Sequence, residues 1–470
     1  MNNNNLYRET RGVMTQFLPL TEEHLSQIPN SISFHELADE LSHQGLSILN
    51  VVHDPSRQLF NTYYADYDRG LYSSIMLSRE SFSQVLSALL QSVAAFHGQL
   101  APELANQKWK TYYAFRVPLP IAIYDFQRRY RDIPPNEVFS VWYSIYKRID
   151  YSNNMWLPEV LDYVFSQAPP SNLPPPDADG LITIYRGTGE LSSPPEQAIS
   201  WSTHPGNALW FANHTGRGAH IAVARIHPEQ IVAYYNQFSL ENEVIVKPGT
   251  VKEYQYEDMI PAEYSTVPKL LSSGLIGYIQ FGRQAVKLGY PKESLPFQAH
   301  GLKHILRVLM LSLIYIHNSG DLLSRQDRQI LIYFSLLHDI GRTNEERDDT
   351  HGEKSISVIH KRDLHIDGLK MSKKDIKIAE LIILHHCHDD GVGEEANQNA
   401  SGFSQKDRAR ATHLYHICKD MDGLDRVRFN GLDYRMLRTP YAKRLPLVAG
   451  CLLEEQVVKV LDWDISNFVN

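Results

Sequence analysis

The spacing of apolar positions divides the chain into stretches of different character. Residues 80–96 (ESFSQVLSALLQSVAAF) and 135–148 carry apolar side chains three and four apart, the period of a helix with one buried face. A mostly helical region is therefore expected through about residue 165. Short runs rich in β-branched and aromatic residues follow at 181–185, 219–226, 231–235 and 243–247, with Gly, Pro and Asn between them, which predicts a compact β region. From about residue 291 the helical period returns in long segments, 304–317, 328–338 and 374–386. Residues 168–179 (APPSNLPPPDAD) hold five prolines and read as a linker or long loop between the first helices and the strands.

A chain of 470 residues is longer than one core usually organises, so two or three domains are expected. Hydrophobic content of 43% and charged content of 21% exclude a disordered or collagen-like chain. A net charge of −8 gives no general electrostatic footprint for nucleic acid. The strongest apolar run, 308–316, is about half the roughly 20 residues that span a bilayer, and the start MNNNNLYRETRG lacks the blocks of a signal peptide, so no membrane span is expected. Cys387, Cys418 and Cys451 lie far apart, which argues against a disulfide framework and for a reducing compartment. That compartment is the cytoplasm or, for an exported protein, a host cytosol. Glu454 and Glu455 ahead of an apolar end could serve as a translocation signal, although a solvated helix turn is the commoner origin of such a pattern. Histidine changes the picture, because 12 of the 21 fall between His300 and His416.

Those histidines stand in an ordered set: HGLKHILRV from His300, LLHDIGR from Leu336, THGEKS from Thr350, LHHCHDD from Leu384 and KDMDGLDRVRF from Lys419. Imidazole and carboxylate are ligand types for Mn, Fe, Mg or Zn, and helices can aim them into one bundle interior. A divalent ion held by His304, His338, Asp339 and Asp422 would lower the pKa of bound water and polarise a phosphoryl oxygen. Any one of these histidines alone reads better as an ordinary core or surface residue; the ordered set does not. The set resembles the HD-type phosphohydrolase superfamily over roughly residues 290–440, with a His, an adjacent His-Asp pair and a distant Asp. The resemblance implies an all-α fold and metal-dependent hydrolysis, and makes His351 and His386 ligands of a second ion. The neighbouring His300, His385 and His388 leave that assignment open.

The β region holds a second constellation: Tyr185-Arg186-Gly187 at a strand end, Ser200-Trp201-Ser202-Thr203, and LENEVIVKPGT from Leu240 to Thr250. Ala208, Phe211 and Ala212 would form the buried face of a short helix after Trp201. A guanidinium can clamp a diphosphate and a carboxylate can stabilise a ribose cation, although Glu241 and Glu243 alternate as the solvated face of an edge strand also would. The order Arg, Ser-x-Ser, Glu-x-Glu resembles the mono-ADP-ribosyltransferase fold over roughly residues 135–265. That resemblance implies an α/β sandwich in which Arg186, Gly187 and Ser200 contact NAD and Ser202 supports the nicotinamide pocket. It further implies that Glu243 stabilises the nicotinamide ribose and that Glu241 orients an acceptor, arginine on a protein. His204-Pro205 after the serine motif departs from the family pattern.

The resulting expectation is a multidomain α+β chain. It comprises a helical region at 1–130, a transferase-like domain with its helical lobe at 131–265, an HD-type domain at 290–440 and a tail at 441–470. Its parts are similar to those of bacterial effectors that attach phosphoribosyl groups with a transferase and a phosphodiesterase domain, so the second site could process the ADP-ribosyl product of the first. The alternative is an HD nucleotide phosphohydrolase carrying a degenerate transferase-like binding domain.

Overall fold

A computed structural model describes residues 17–54, 62–80, 82, 99–149, 155–214, 219–236, 242–261, 263, 266–290, 300–343, 346–429 and 432–453. Most of the expected 80–96 helix, Glu241 and the acidic pair Glu454-Glu455 lie outside these residues. The described chain is a mixed α/β structure with two antiparallel sheets.

The N-terminal part is not helical throughout. β1 (Leu18–Pro19), β2 (Val51–His53), β3 (Thr62–Asp66) and β4 (Leu71–Ser74) form a four-stranded sheet in that order, with α1 (Glu22–Ser26) and α2 (Phe34–His43) between the first two strands. The strand sequences VVH and TYYAD supply the β-branched and aromatic residues that a pleated, half-buried surface favours. Five helices follow: α3 (Pro102–Ala105), α4 (Trp109–Phe115), α5 (Leu119–Arg129), α6 (Pro135–Tyr146) and α7 (Pro158–Ser166). Four of these carry Pro in the first turn, where its missing N–H costs nothing. Their aromatic core, including Tyr112, Phe126, Trp142 and Trp156, continues without a break across residue 130 and onto Ile199, Ala233 and Ile245 of the next sheet. The buried core therefore shows no division at the expected boundary between 130 and 131.

The second sheet has six strands in the order β10-β7-β5-β6-β9-β8. They are β5 (Ile182–Thr188), β6 (Ser200–Ser202), β7 (His220–Ile226), β8 (Ile231–Tyr235), β9 (Glu243–Val246) and β10 (Gln255–Tyr256), with α8 (Pro205–His214) after β6. β5, β7, β8 and β9 coincide with the four expected short runs, and β6 and β10 are additional. Two three-stranded halves meet where Tyr185 of β5 pairs with Ser202 of β6, and Ile184, Trp201, Ala222 and Val244 from both halves share one buried cluster. Ala208 and Ala212 of α8 are buried as expected, whereas Phe211 is 37% exposed.

The C-terminal part is helical: α9 (Thr266–Lys287), α10 (Leu302–Asn318), α11 (Arg325–Leu337), α12 (His351–Arg362), α13 (Lys373–His385), α14 (Asp390–Gln398), α15 (Gln405–Leu424) and α16 (Pro446–Leu453). Helix α9 fills the stretch left unassigned between the two expected domains; its Gly274 and Gly277 let α10 approach through Leu313. The expected tail is not a tail as far as residue 453, because Leu447, Val448 and Leu452 of α16 are fully buried. Their cluster also takes in Tyr185, Leu209 and Ala212 of the β unit. The two units are further tied by Arg435 to the Tyr185 hydroxyl (2.8 Å) and by the Tyr434 hydroxyl to Glu257 (3.1 Å). Among the described residues no helix is long and apolar enough to cross a membrane.

Candidate functional site

The helical unit places its histidines through repeated local signals. Helices α11, α13 and α15 each open on a Ser-x-x-Asp capping box, at Ser324–Asp327, Ser372–Asp375 and Ser404–Asp407, which satisfies their first N–H groups. Arg410 then joins two of these ends, reaching Asp327 at 2.6 Å and Asp375 at 2.7 Å. At the far ends of the same three helices stand His338, His386 and Asp422. Both histidines come eleven residues after their capping aspartate, about 16 Å of helix rise. The C-terminal ends of helices carry partial negative charge, which favours a cation.

The remaining ligands arrive from elsewhere. His304 lies in the first turn of α10, and Asp339 follows His338 directly. His351 opens α12, which presses onto its neighbours because Gly341 and Gly352 carry no side chain. A Cβ at Gly341 would lie 2.3 Å from the backbone of Lys354 and Ser355, and one at Gly352 would lie 2.5 Å from the Leu384 carbonyl. The glycine of HDIG and the glycine of THG therefore bring ligand-bearing segments together.

All six expected ligands converge. His304 Nε2 is 3.1 Å from His338 Nε2, 3.3 Å from Asp422 Oδ1 and 3.6 Å from Asp339 Oδ2. On the other side of the same carboxyl, Asp339 Oδ1 is 3.3 Å from His351 Nε2 and 3.6 Å from His386 Nε2, and those two nitrogens are 2.9 Å apart. Asp339 thus stands between two pairs of imidazoles. His304, His338 and Asp339 form one group with metal-ligand spacing, His338, His386 and Asp422 another, and His351, His386 and Cys387 a third.

The outer Nδ1 atoms are occupied. His338 Nδ1 faces the Phe334 carbonyl at 3.2 Å, His386 Nδ1 faces that of Ile383 at 2.7 Å, and His351 Nδ1 faces that of Asp348. His304 Nδ1 donates to Asp425 Oδ2 at 2.7 Å. A carbonyl or carboxylate can only accept, so at His304, His338 and His386 a proton sits on Nδ1 and Nε2 is turned inward, the arrangement that metal-ligating histidines adopt, whereas His351 Nδ1 also lies 3.2 Å from Arg342 Nη1. Asp425 is held in turn by Arg307 (2.5 and 2.9 Å) and Arg428 (2.8 Å).

The electrostatics agree with a cation site. Burial pulls His338 down to about 4, which leaves it neutral at pH 7. Burial opposes ionisation of Asp339 and Asp422, yet His338 beside the first and the His304 hydrogen bond to the second hold both carboxyls well below the usual range. Burial and Arg428 work against protonation of His304, but its bonds to Asp422 and Asp425 raise it above the ordinary histidine value. Asp339 Oδ1 is buried without a hydrogen-bond donor. An acceptor left so inside a ring of imidazole nitrogens fits one or two divalent ions.

Arg307 and Asp425 were not singled out as site residues, although a signal was available. An Arg three residues after His304 lies on the same helix face, and an Asp three after Asp422 returns to the same side. Asp420 in the same DMDGLD run has a different job: fully buried, it accepts from the Arg438 and Thr439 backbone N–H groups and from the Thr439 hydroxyl.

In the β unit, Arg186, Ser200, Ser202 and Glu243 lie on adjacent strands at the joint of the two half-sheets. Ser200 Oγ donates to Glu243 Oε1 at 2.6 Å, the Tyr143 hydroxyl donates to Oε2 at 2.5 Å, and Lys147 is 3.6 Å away. Tyr143 stacks on Tyr235 with centroids 4.2 Å apart, so the helical lobe contributes to this cluster. Arg186 donates to the Ser200 carbonyl at 2.6 Å, while its Nε is buried without a partner. Ser202 Oγ accepts from His204 N and Asn207 Nδ2, and His204 Nδ1 accepts from Gly206 N. The unexpected His204 therefore shapes the entry into α8. Gly187 has a structural task as well: a Cβ there would lie 2.2 Å from the Ala208 carbonyl and 2.3 Å from Ala212 N.

No family model, curated protein or solved structure matches this chain.

Proposed function

We propose that this chain is a metal-dependent phosphohydrolase or phosphodiesterase of the HD type, joined to a unit that transfers ADP-ribose from NAD to a protein. The observation that carries the first half is the convergence of four Nε2 atoms with the carboxylates of Asp339 and Asp422, each ring held by its Nδ1 contact. His304, His338, Asp339 and Asp422 would hold one Mn, Fe, Mg or Zn ion, and Asp339, His351 and His386 a second. Such ions supply charge that polarises a phosphoryl oxygen and lowers the pKa of water. The protein's own part is positioning: Asp425, clamped by Arg307 and Arg428, fixes the His304 ring, and burial keeps the His338 ring neutral.

The second half rests on Ser200 bonding Glu243 with Arg186 on the adjoining strand. In this reading NAD is a substrate whose bond between ribose C1′ and nicotinamide breaks as an arginine nitrogen of the acceptor protein bonds to C1′. Glu243 stabilises the developing ribose cation, Glu241 orients the acceptor, and Arg186 and Ser200 hold the dinucleotide. The alternative, an HD nucleotide phosphohydrolase with a transferase-like binding unit, is favoured by how fully Glu243 is already engaged by Ser200, Tyr143 and Lys147.

Mass spectrometry of the full chain incubated with NAD and a cell lysate separates these readings. An ADP-ribosyl mass on protein targets, absent with Glu243→Gln and altered with Asp339→Ala, supports both activities and their coupling. Absence of any NAD-dependent mass removes the transferase. Failure of wild-type protein, loaded with each of the four metals in turn, to hydrolyse nucleotide phosphoesters and phosphodiesters more than Asp339→Ala does removes the hydrolase.

A further inference from the structure

The residue after His386 is not one that hydrolytic chemistry requires, yet its side chain faces the same cluster. Cys387 Sγ, a ring nitrogen of His351 and a ring nitrogen of His386 lie within 4.8 Å of one another. The thiol donates to the Asp349 carbonyl at 3.2 Å, two residues before His351. It thus sits against the segment that delivers that ligand. A cysteine alone would mean little. Here a second observation points to a ligand: Asp339 Oδ1, on a side chain only 4% exposed, faces His351 and His386 and has no hydrogen-bond donor.

We propose that Cys387 is a ligand in the second half of the centre, completing a two-imidazole, one-carboxylate, one-thiolate set with His351, His386 and Asp339. This inference rests on the metal-centre reading above. Four donors of these types form the tetrahedral shell preferred by zinc, with sulfur about 2.3 Å and nitrogen about 2.0 Å from the ion once the side chains close on it. The thiolate adds a negative charge to a half whose only other anionic donor, Asp339, is shared with the first ion. The thiolate makes the two halves of the centre chemically different. The half built on His304, His338 and Asp422 contains only nitrogen and oxygen, which magnesium, manganese and iron accept. The half built on Cys387 selects a softer ion such as zinc or cobalt and discriminates against magnesium. On loading, the S–H bond breaks heterolytically: the electron pair stays on sulfur and becomes the sulfur–metal bond, and the proton leaves to solvent. The contact to the Asp349 carbonyl is given up in that step.

The test is optical and needs no turnover. Full-length chain, freed of metal, is titrated with cobalt(II) while bound ions are counted by equilibrium dialysis and released protons by a pH indicator. The expected result is a near-ultraviolet sulfur-to-cobalt charge-transfer band that resists excess magnesium, is lost in Cys387→Ser and persists in Cys418→Ser and Cys451→Ser. Cys387→Ser should also release one proton fewer and weaken one ion by at least the ~10–100-fold that loss of an outer partner costs. Cys387→His, which restores a nitrogen donor, should recover the ion count without the band. If cobalt binds and the band is missing, or survives Cys387→Ser, the thiolate ligand is overturned while the metal centre stands. If no cobalt binds to wild type, the metal-centre reading falls and this inference falls with it.

Discussion

The two candidate sites treat their charges in opposite ways. In the helical unit each of the four converging imidazoles is anchored through Nδ1 to a carbonyl or carboxylate, so the inward Nε2 atoms face one another and an Asp339 oxygen that nothing donates to. Lone pairs aimed at lone pairs repel, and only a cation or added protons relieve them. In the β unit the carboxylate is satisfied, although Arg186 Nε is not: Glu243 takes hydrogen bonds from Ser200 and Tyr143 with Lys147 nearby, and Ser202 serves the start of α8. The first site leaves an acceptor that a cation could satisfy, whereas the carboxylate of the second is already engaged. Residue identity alone does not separate the two cases; the direction of each hydrogen bond does.

The sharpest way to break this contrast is at the carboxyl both ion positions would share. Asp339→Asn replaces one oxygen by an amide that cannot ligate and halves the negative charge shared with Asp422. Both ions should be lost, an effect larger than the roughly 10–100-fold drop expected for removing an outer partner. Metal counting by mass spectrometry after dialysis checks this. Retention of two ions would show that Asp339 is not the bridge. Because one source of repulsion leaves with the charge, the ion-free variant should fold at least as well as ion-free wild type.

Arg410 probes the scaffold instead. It ties Asp327 and Asp375 at the ends of α11 and α13 remote from His338 and His386, and Asp375 is only 4% exposed. Arg410→Ala leaves a buried carboxylate short of its partner and should cost roughly 2–4 kcal/mol of unfolding free energy, measurable by denaturant titration. Metal affinity of the folded fraction should change much less, because eleven residues of helix separate the knot from each histidine.

Asp425→Asn acts on the His304 ring alone among the four imidazoles. Affinity should fall by about 10–100-fold at high pH. The pH dependence should move as well. His304 is raised above the ordinary value by Asp422 and Asp425 against the opposing effects of burial and Arg428, so its proton competes with metal as pH falls. Weakening one of the raising partners lowers that pKa, and the loss of binding shifts to lower pH. Isothermal titration across pH checks the sign; a shift upward would mean that Asp425 does not control this ring.

Much of this was legible in the sequence, for identifiable reasons. Four strands of the second sheet follow from runs rich in β-branched and aromatic residues and the long C-terminal helices from the 3.6-residue period, and all six expected ligands meet because they sit at or near helix ends. The N-terminal sheet was misread as helical because strands of two to five residues, such as LP and VVH, are too short to display an alternation. The tail was misread because α16, LVAGCLL after Pro446, is apolar all round and has no amphipathic stripe to announce a helix. Outer partners such as Arg307 and Asp425 were overlooked because their roles depend on contacts 118 residues apart in sequence. His204 and Gly187 show the reverse: at each a functional motif was expected, and each has a backbone to shape.

The smallest expected effect tests whether the second site is in fact closed. Tyr143 comes from the helical lobe, stacks on Tyr235 and donates its hydroxyl to Glu243. Tyr143→Phe keeps the stack and removes one hydrogen bond to a carboxylate that retains Ser200 and Lys147, so stability should fall by only about 1–2 kcal/mol. The effect on a ligand should have the opposite sign if that bond competes with NAD for Glu243: NAD should bind more tightly to Tyr143→Phe than to wild type. Weaker binding would mean that Tyr143 holds Glu243 in the orientation NAD needs, and that the closed network is the binding-ready state. A thermal melt with and without NAD reads both quantities in one experiment, since a ligand that binds only the folded chain raises its apparent stability by RT ln(1 + [L]/Kd).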